Sequence, residues 1–419
     1  MDKMRIRGGT PLRGVVQVSG SKNAALPILI SALLTGERCT FRRVPNLQDI
    51  RTVLKLLAHM GMKVEHSPHE HLVNLTSDQI TRTEAPYELV STMRASVVVL
   101  GPLLARFGKA RVSLPGGCAI GARPVNFHLT GLEKLGAQIE LENGYVNATA
   151  KRLQGARVTF EFPSVGATEN LMMAAVLAKG ETVLENCARE PEIVDLARAL
   201  RAMGAELEGE GTGVIRIQGK DSLHGCNHEI MGDRIEAGTF LAAGLATGGQ
   251  VRVEGLDPAF LESVLVKFED AGAKIVRGDR VIELTAQGTP RSTDVTTLPY
   301  PGFPTDMQAQ FMSVMAVADG TSLMTETIFE NRFMHVSELL RLGADITIRG
   351  NTAIVRGQPQ LRGAPIMATD LRASASLIIG GLCAQGETIV NRIYHLDRGY
   401  EQMEVKLVAL GAQIERIQS

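Results

Sequence analysis

Residues 115–124 read Pro-Gly-Gly-Cys-Ala-Ile-Gly-Ala-Arg-Pro, a single thiol set among three glycines and two prolines. A lone cysteine is most often a small core residue, but these flanks disfavour a packed helix or strand and read as a loop. Arg123, five residues beyond Cys118, can lower the thiol pKa and favour the reactive thiolate. Cys118 is therefore a candidate reactive group. The GxxxxG spacing is that of a phosphate-binding loop, yet no Lys-Ser/Thr follows it, which argues against nucleoside triphosphate cleavage.

Charged residues recur where apolar helices begin. Six such starts read Ser21-Lys22-Asn23, Met93-Arg94-Ala95, Ser164-Val165-Gly166, Asp233-Arg234-Ile235, Thr305-Asp306-Met307 and Asp370-Leu371-Arg372, and four of the six carry Lys or Arg in the first turn. A cation there opposes the helix dipole, so it calls for either a bound anion or a neighbouring carboxylate. Repetition favours the anion. Asp306 suits two roles, stabiliser of a helix N-terminus or general base. Arg123, Arg332 and Arg398 fall in equivalent stretches of their repeats, where a planar guanidinium suits carboxylate or phosphate, although each alone could be a surface ion pair. His66, His69 and His71 lack a fourth ligand at useful spacing and read as a solvated loop rather than a metal site.

The elements that must carry these residues form a repeat. A glycine, followed by Ala or Met and a β-prone stretch, recurs at Gly61, Gly136, Gly204, Gly272, Gly343 and Gly411, at separations of 75, 68, 68, 71 and 68 residues. Each closes an apolar-periodic helix, the position where a positive φ suits glycine. A second glycine lies 23 to 28 residues earlier in each case, at Gly36, Gly108, Gly180, Gly248, Gly320 and Gly386. It follows a helix that is apolar nearly all round: 24–34, 95–106, 168–178, 237–247, 307–318 and 373–383. Such helices belong inside, with the strands outside. The sixth repeat ends without its hairpin, while Ile6 to Val18 (IRGGTPLRGVVQV) resembles Val355 to Met367 (VRGQPQLRGAPIM) and can supply it. The expected architecture is α/β with two globular domains, each of three βαβαββ-type units with buried inner helices. The expected domains are 21–232, and 1–20 joined with 233–419, with the active site in the cleft between them.

Composition narrows the function. Lys plus Arg number 44 and Asp plus Glu 45 in 419 residues, so the net charge of -1 gives no basic footprint for nucleic acid. Trp is absent and aromatic residues make up 4%, a poor supply for base stacking or membrane-interface belts. The start of the chain carries Arg and Gly where a secretory signal needs an apolar run, so a cytoplasmic, soluble protein is expected. The five cysteines show no C-x-x-C spacing and read as free thiols.

The strings SKNAALPIL at Ser21, PGGCAIGARPV at Pro115, REPEIVD at Arg189, FPTDMQAQF at Phe303, ENRFMH at Glu330, ATDLRASASL at Ala368 and DRGYE at Asp397 together resemble the enolpyruvyl transferase family, from about Met4 to Arg416. The similarity is to the branch that uses UDP-N-acetylglucosamine in the first committed step of peptidoglycan synthesis. It implies the inside-out α/β barrel of that family, phosphoenolpyruvate and UDP-N-acetylglucosamine as substrates, and an addition-elimination reaction needing neither metal nor cofactor. It implies that Lys22, Arg123 and Arg398 hold the phosphoenolpyruvate phosphate, with Asn23 beside them and Arg332 and Arg372 near its carboxylate. It assigns Arg94, Arg123, Pro124, Val125, Asn126, Phe127, Ser164, Val165, Gly166, Asp306 and Ile328 to the nucleotide sugar. Cys118 corresponds to the proton donor to C3 and the point of inactivation by fosfomycin, and Asp306 to the base for the sugar hydroxyl, with Lys22 and Arg398 also catalytic. The chain departs from the family pattern at Phe162, where Lys is frequent, and at Asn126-Phe127, where Asp-Leu is frequent. The rival readings are the shikimate-pathway branch, which lacks the cysteine loop, and a catalytically silent scaffold that binds a nucleotide sugar.

Overall fold

The computed structural model describes residues 2–91, 93–114 and 125–418. The chain divides into two compact units. The first comprises the described residues of 20–231, and the second comprises 2–19 together with 232–418.

The apolar-all-round segments do form the interior of each unit. In the first unit these inner helices are α1 (Lys22–Ser31), α2 (Leu100–Phe107) and α3 (Val165–Ala175). In the second they are α4 (Arg234–Ala246), α5 (Gln308–Met315) and α6 (Leu371–Cys383). Every residue of α1 from Ala24 to Ser31 is buried, as is every residue of α4 from Arg234 to Leu245. A helix without a polar face is stable in water only when surrounded in this way. Close approach requires glycine at Gly101 of α2, where a Cβ would lie 2.3 Å from the backbone oxygen of Asn170 in α3.

The helix starts show how local sequence sets the geometry. Ser21, Ser164, Asp233 and Asp370 each accept a backbone N–H of the first turn through the side chain, capping α1, α3, α4 and α6. The other two inner helices have no side-chain cap and begin through 3-10 turns, Arg94–Val99 before α2 and Thr305–Met307 before α5. The segment expected to be α-helical from Ala95 is thus 3-10 as far as Val99, in keeping with its run of β-branched Val97, Val98 and Val99. Gly61, Gly136, Gly204, Gly272, Gly343 and Gly411 all have positive φ, as a helix C′ glycine requires. Among the second set Gly36 is the exception, because α1 runs into a 3-10 turn, Ala32–Leu34, that ends at extended Thr35.

Six four-stranded sheets share one pattern among the described residues, an antiparallel hairpin beside a third strand, with a short edge strand paired parallel to that third strand. The edge strand comes from the end of the preceding repeat, so the three sheets of each unit are linked in a ring. In the first unit Asn227–Glu229 pairs with Cys39–Arg42 and closes the ring. In the second, β1 (Lys3–Arg7) lies between Glu387–Asn391 and Gln413–Ile417, completing the sheet of the sixth repeat. The following strand, β2 (Arg13–Gln17), pairs parallel with Gln250–Glu254 in the fourth repeat. Met4 and Ile6 of β1 are fully buried. None of the described helices is long and apolar enough to cross a membrane.

Candidate active site

In the first unit the candidate residues sit at the starts of inner helices. Lys22 opens α1, directly after the Ser21 cap, whose Oγ accepts from Ala24 N at 3.3 Å. Its Nζ lies 3.4 Å from Oδ2 of Asp49, a buried residue of the outer helix Gln48–His59. Asn23 follows it, half-buried. Ser164 caps α3, with Val165 and Gly166 in the first turn. Asn126 and Phe127, preceded by Val125, open the helix Asn126–Lys134.

These last two groups are brought together by His128. Its Nδ1 accepts from Asn170 Nδ2 at 2.9 Å, while Asn170 Oδ1 accepts the Gly101 N–H at 2.7 Å, so three helices meet on one buried amide. A Cβ at Gly166 would lie 3.4 Å from His128 Cε1, which puts the two helix starts in contact. Phe162, two residues before the Ser164 cap, is 42% exposed. Cys118, Arg123 and Pro124, and the side chain of Arg94, lie outside the described residues.

The second unit gathers its candidates around one carboxylate. Arg332 Nη2 donates to Asp306 Oδ1 at 2.8 Å, and Arg372 donates to Oδ2 through Nη2 at 2.8 Å and Nε at 3.1 Å. Both guanidiniums are buried, whereas the Asp306 side chain is 26% exposed. Burial opposes the Arg372 charge most strongly, but Asp306, with Tyr400 and Asp233 adding to it, together hold the guanidinium above its ordinary range. Ile328 is joined to the same turn by Glu326. That buried carboxylate accepts from Ile328 N at 2.8 Å and Thr297 Oγ1 at 2.9 Å on one oxygen, and from Thr305 Oγ1 at 2.9 Å on the other.

Arg398 ends the 3-10 turn Ile393–Arg398 and is half-buried. Its neighbour Asp397 is held by both terminal nitrogens of Arg416, at 2.6 and 3.1 Å, which anchors the turn. His335 is buried, and that burial, with Arg332 adding to it against an opposing pull from Asp370, drops its pKa to about 4. It is an uncharged imidazole at neutral pH.

Asp49, Glu326 and Tyr400 were not among the residues singled out from sequence. They are buried polar side chains that hold candidates in place, and their partners are distant in sequence. Tyr400 lies inside the string at Asp397 and Glu326 just before the one at Glu330, whereas Asp49 lies in or beside none of them. No group of three or more His, Cys, Asp or Glu suited to a metal occurs among the described residues, and His66, His69 and His71 lie along the hairpin between Lys63–Ser67 and Leu72–Thr76. A cavity of about 650 Å³ in the first unit holds none of the candidates. It lies at the opposite, C-terminal ends of the inner helices, beside Leu34, Gly36, Leu104, Arg106 and Leu177.

Comparison with known proteins decides the kinship. The sequence model of the EPSP synthase (3-phosphoshikimate 1-carboxyvinyltransferase) family matches residues 6–407. The chain belongs to this family. Within it, the chain is similar to proteins named UDP-N-acetylglucosamine 1-carboxyvinyltransferase. It is 57% identical over 419 residues to that of Magnetococcus marinus, and 58% over 417 residues to that of Geobacter metallireducens, each covering 100% of both chains. Another, from Nitratidesulfovibrio vulgaris, is 58% identical over 417 residues and covers 99% of both. The fold is that of solved family structures. The enolpyruvyl transferase NikO from Streptomyces tendae superposes with a TM-score of 0.89 at 24% identity, covering 100% of this chain and 99% of that one. EPSP synthase from Acinetobacter baumannii gives a TM-score of 0.77 at 20% identity, covering 100% of both.

Proposed function

We propose that this chain transfers the enolpyruvyl group of phosphoenolpyruvate to the 3-hydroxyl of UDP-N-acetylglucosamine with release of inorganic phosphate, the first committed step of peptidoglycan synthesis in the cytoplasm. The observation that carries this reading is the identity of 57–58% along essentially the whole chain to proteins named for that reaction. The arrangement of the residues is suited to it.

In the addition step the sugar 3-oxygen bonds to C2 of phosphoenolpyruvate, its proton passes to the Asp306 carboxylate, and C3 gains a proton from the Cys118 thiol. In the elimination step C3 loses a proton, the C2–O bond to phosphate breaks, and a vinyl ether remains on the sugar. Residues of both units take part. Lys22, Asn23, Arg123 and Arg398 hold the phosphate, while Arg332 and Arg372 face the carboxylate of phosphoenolpyruvate. Arg94, Arg123 to Phe127, Ser164 to Gly166, Asp306 and Ile328 hold the nucleotide sugar.

The Asp306 contacts give this proposal a specific consequence. Both guanidiniums that would take the substrate carboxylate already grip Asp306, at 2.8 Å each. Arrival of that carboxylate shares their charge between two anions and leaves Asp306 freer to accept the hydroxyl proton. Base activation is thereby tied to occupancy by phosphoenolpyruvate.

Phosphate release from phosphoenolpyruvate, followed with either UDP-N-acetylglucosamine or shikimate 3-phosphate as acceptor, tests the reading. Release with the nucleotide sugar alone, lost in Cys118→Ala, is expected. Release with shikimate 3-phosphate alone would move the chain to the branch for which the family model is named, and release with neither would leave a silent scaffold.

A further inference from the structure

Tyr400 belongs to the Asp397-Arg398-Gly399-Tyr400-Glu401 string, yet the reaction proposed above gives it nothing to do. Its side chain is 2% exposed. The phenol oxygen lies 2.9 Å from Thr239 Oγ1 of α4 and accepts from Gln310 Nε2 of α5 at 3.1 Å. Thr239 donates its own proton to Ile235 O at 2.7 Å, so between the two hydroxyls Tyr400 is the donor. Gln310 Nε2 also donates to the backbone oxygen of Asp306 at 2.9 Å. The Arg372 guanidinium carbon stands 5.5 Å from the centroid of the Tyr400 ring, within cation–π range. Burial raises the pKa of the phenol despite the nearby Arg372 charge, which keeps it a neutral donor.

One side chain, two residues from Arg398, thus reaches the backbone of Asp306 through Gln310 and the guanidinium of Arg372 through its ring. We infer that Tyr400 is a positioning residue for the transfer reaction, fixing Asp306, Arg372 and the turn that carries Arg398 relative to one another within the second unit. The inference rests on the functional reading given above. It separates two parts of the side chain, since the hydroxyl acts on Asp306 through Gln310 and the ring acts on Arg372.

The test compares Tyr400→Phe, which keeps the ring and deletes the hydroxyl, with Thr239→Val, which deletes its acceptor. Phosphate release gives kcat and KM for each substrate, and a thermal melt confirms folding. Small misplacements of reacting groups cost rate steeply, so Tyr400→Phe, which disturbs the proposed base Asp306, is expected to lower kcat by about tenfold or more. KM for phosphoenolpyruvate, whose proposed ligand Arg372 keeps its ring contact, should stay within about twofold. Thr239→Val should lower kcat as well, and the double variant should lose less than the product of the two single losses. A merely structural role would leave kcat unchanged or raise both KM values together in a folded variant, and either result overturns the inference. If Tyr400→Phe does not fold, Thr239→Val decides by the same criterion. Wild-type protein that releases no phosphate from phosphoenolpyruvate with UDP-N-acetylglucosamine would instead sink the functional reading and this inference with it.

Discussion

Arg332 and Arg372 reach Asp306 from 26 and 66 residues away in sequence, and they differ in what they can give up. Arg372 donates two hydrogen bonds in a fork to one oxygen, so Arg372→Lys keeps the charge and loses the geometry. A charge-assisted hydrogen bond contributes about 1.5–3 kcal/mol, so kcat/KM for phosphoenolpyruvate should fall roughly 10- to 100-fold in a folded variant. Steady-state kinetics showing less than about a twofold change would contradict the role assigned to the fork. Glu169 of α3 makes a second prediction, independent of the reaction. Burial first, and then Glu192 and Glu190, raise its carboxyl well above the ordinary 4.5. With the folded pKa raised, its contribution to stability is present at low pH and is lost as pH rises through the folded value. Glu169→Gln removes that loss, so its advantage over wild type should be near zero at pH 4.5 and grow towards pH 8. Relief of roughly 1 kcal/mol would raise the melting midpoint by about 2–4 °C at the upper pH. A gap of equal size at both pH values would show that ionisation is not involved. The sequence exposed Asp306, Arg332 and Arg372 because charge at a helix start or within a distinctive string stands out. It could not expose Glu326 or Tyr400, whose work is done through contacts that form only when distant strings fold together.

The six inner helices were legible because each is apolar all round and ends at a glycine with a fixed backbone need. Their starts were less so. Side-chain caps at Ser21, Ser164, Asp233 and Asp370 are local and readable, but the 3-10 entries to α2 and α5 depend on how β-branched and proline-flanked segments pack. The two uncapped starts carry Arg94 and Asp306, while capped starts carry Lys22, Ser164 and Arg372, so capping does not mark which starts hold candidates. The likeness between 6–18 and 355–367 also had a physical basis, because each segment runs from the second strand of a hairpin to the edge strand of the next sheet. β1 is the test of that likeness at this scale. It is hydrogen-bonded on both sides and buries Ile6 completely. Ile6→Ala should cost about 2–5 kcal/mol in denaturant unfolding of the second unit. A cost below about 1 kcal/mol would mean that the strand is peripheral to that core.

Across the whole chain, near-zero net charge and scarce aromatic residues fit a protein whose cations are spent locally, on small anionic substrates rather than on a polyanion. Each unit offers a different set: Lys22 with the starts of α3 and the helix Asn126–Lys134 in one, Asp306 with Arg332, Arg372 and Arg398 in the other. Neither set alone contains both the lysine proposed to hold phosphate and the proposed base, so activity is expected to need both units. The repeats already placed Lys22 in one expected domain and Asp306, Arg332, Arg372 and Arg398 in the other; composition alone could not. The claim on which everything else depends is the chemistry itself. Purified protein incubated with phosphoenolpyruvate and UDP-N-acetylglucosamine should yield a nucleotide sugar whose NMR spectrum shows a carboxyvinyl ether at the sugar 3-oxygen, with inorganic phosphate in equal amount. Recovery of unchanged UDP-N-acetylglucosamine, or a vinyl ether at any other position, would contradict it.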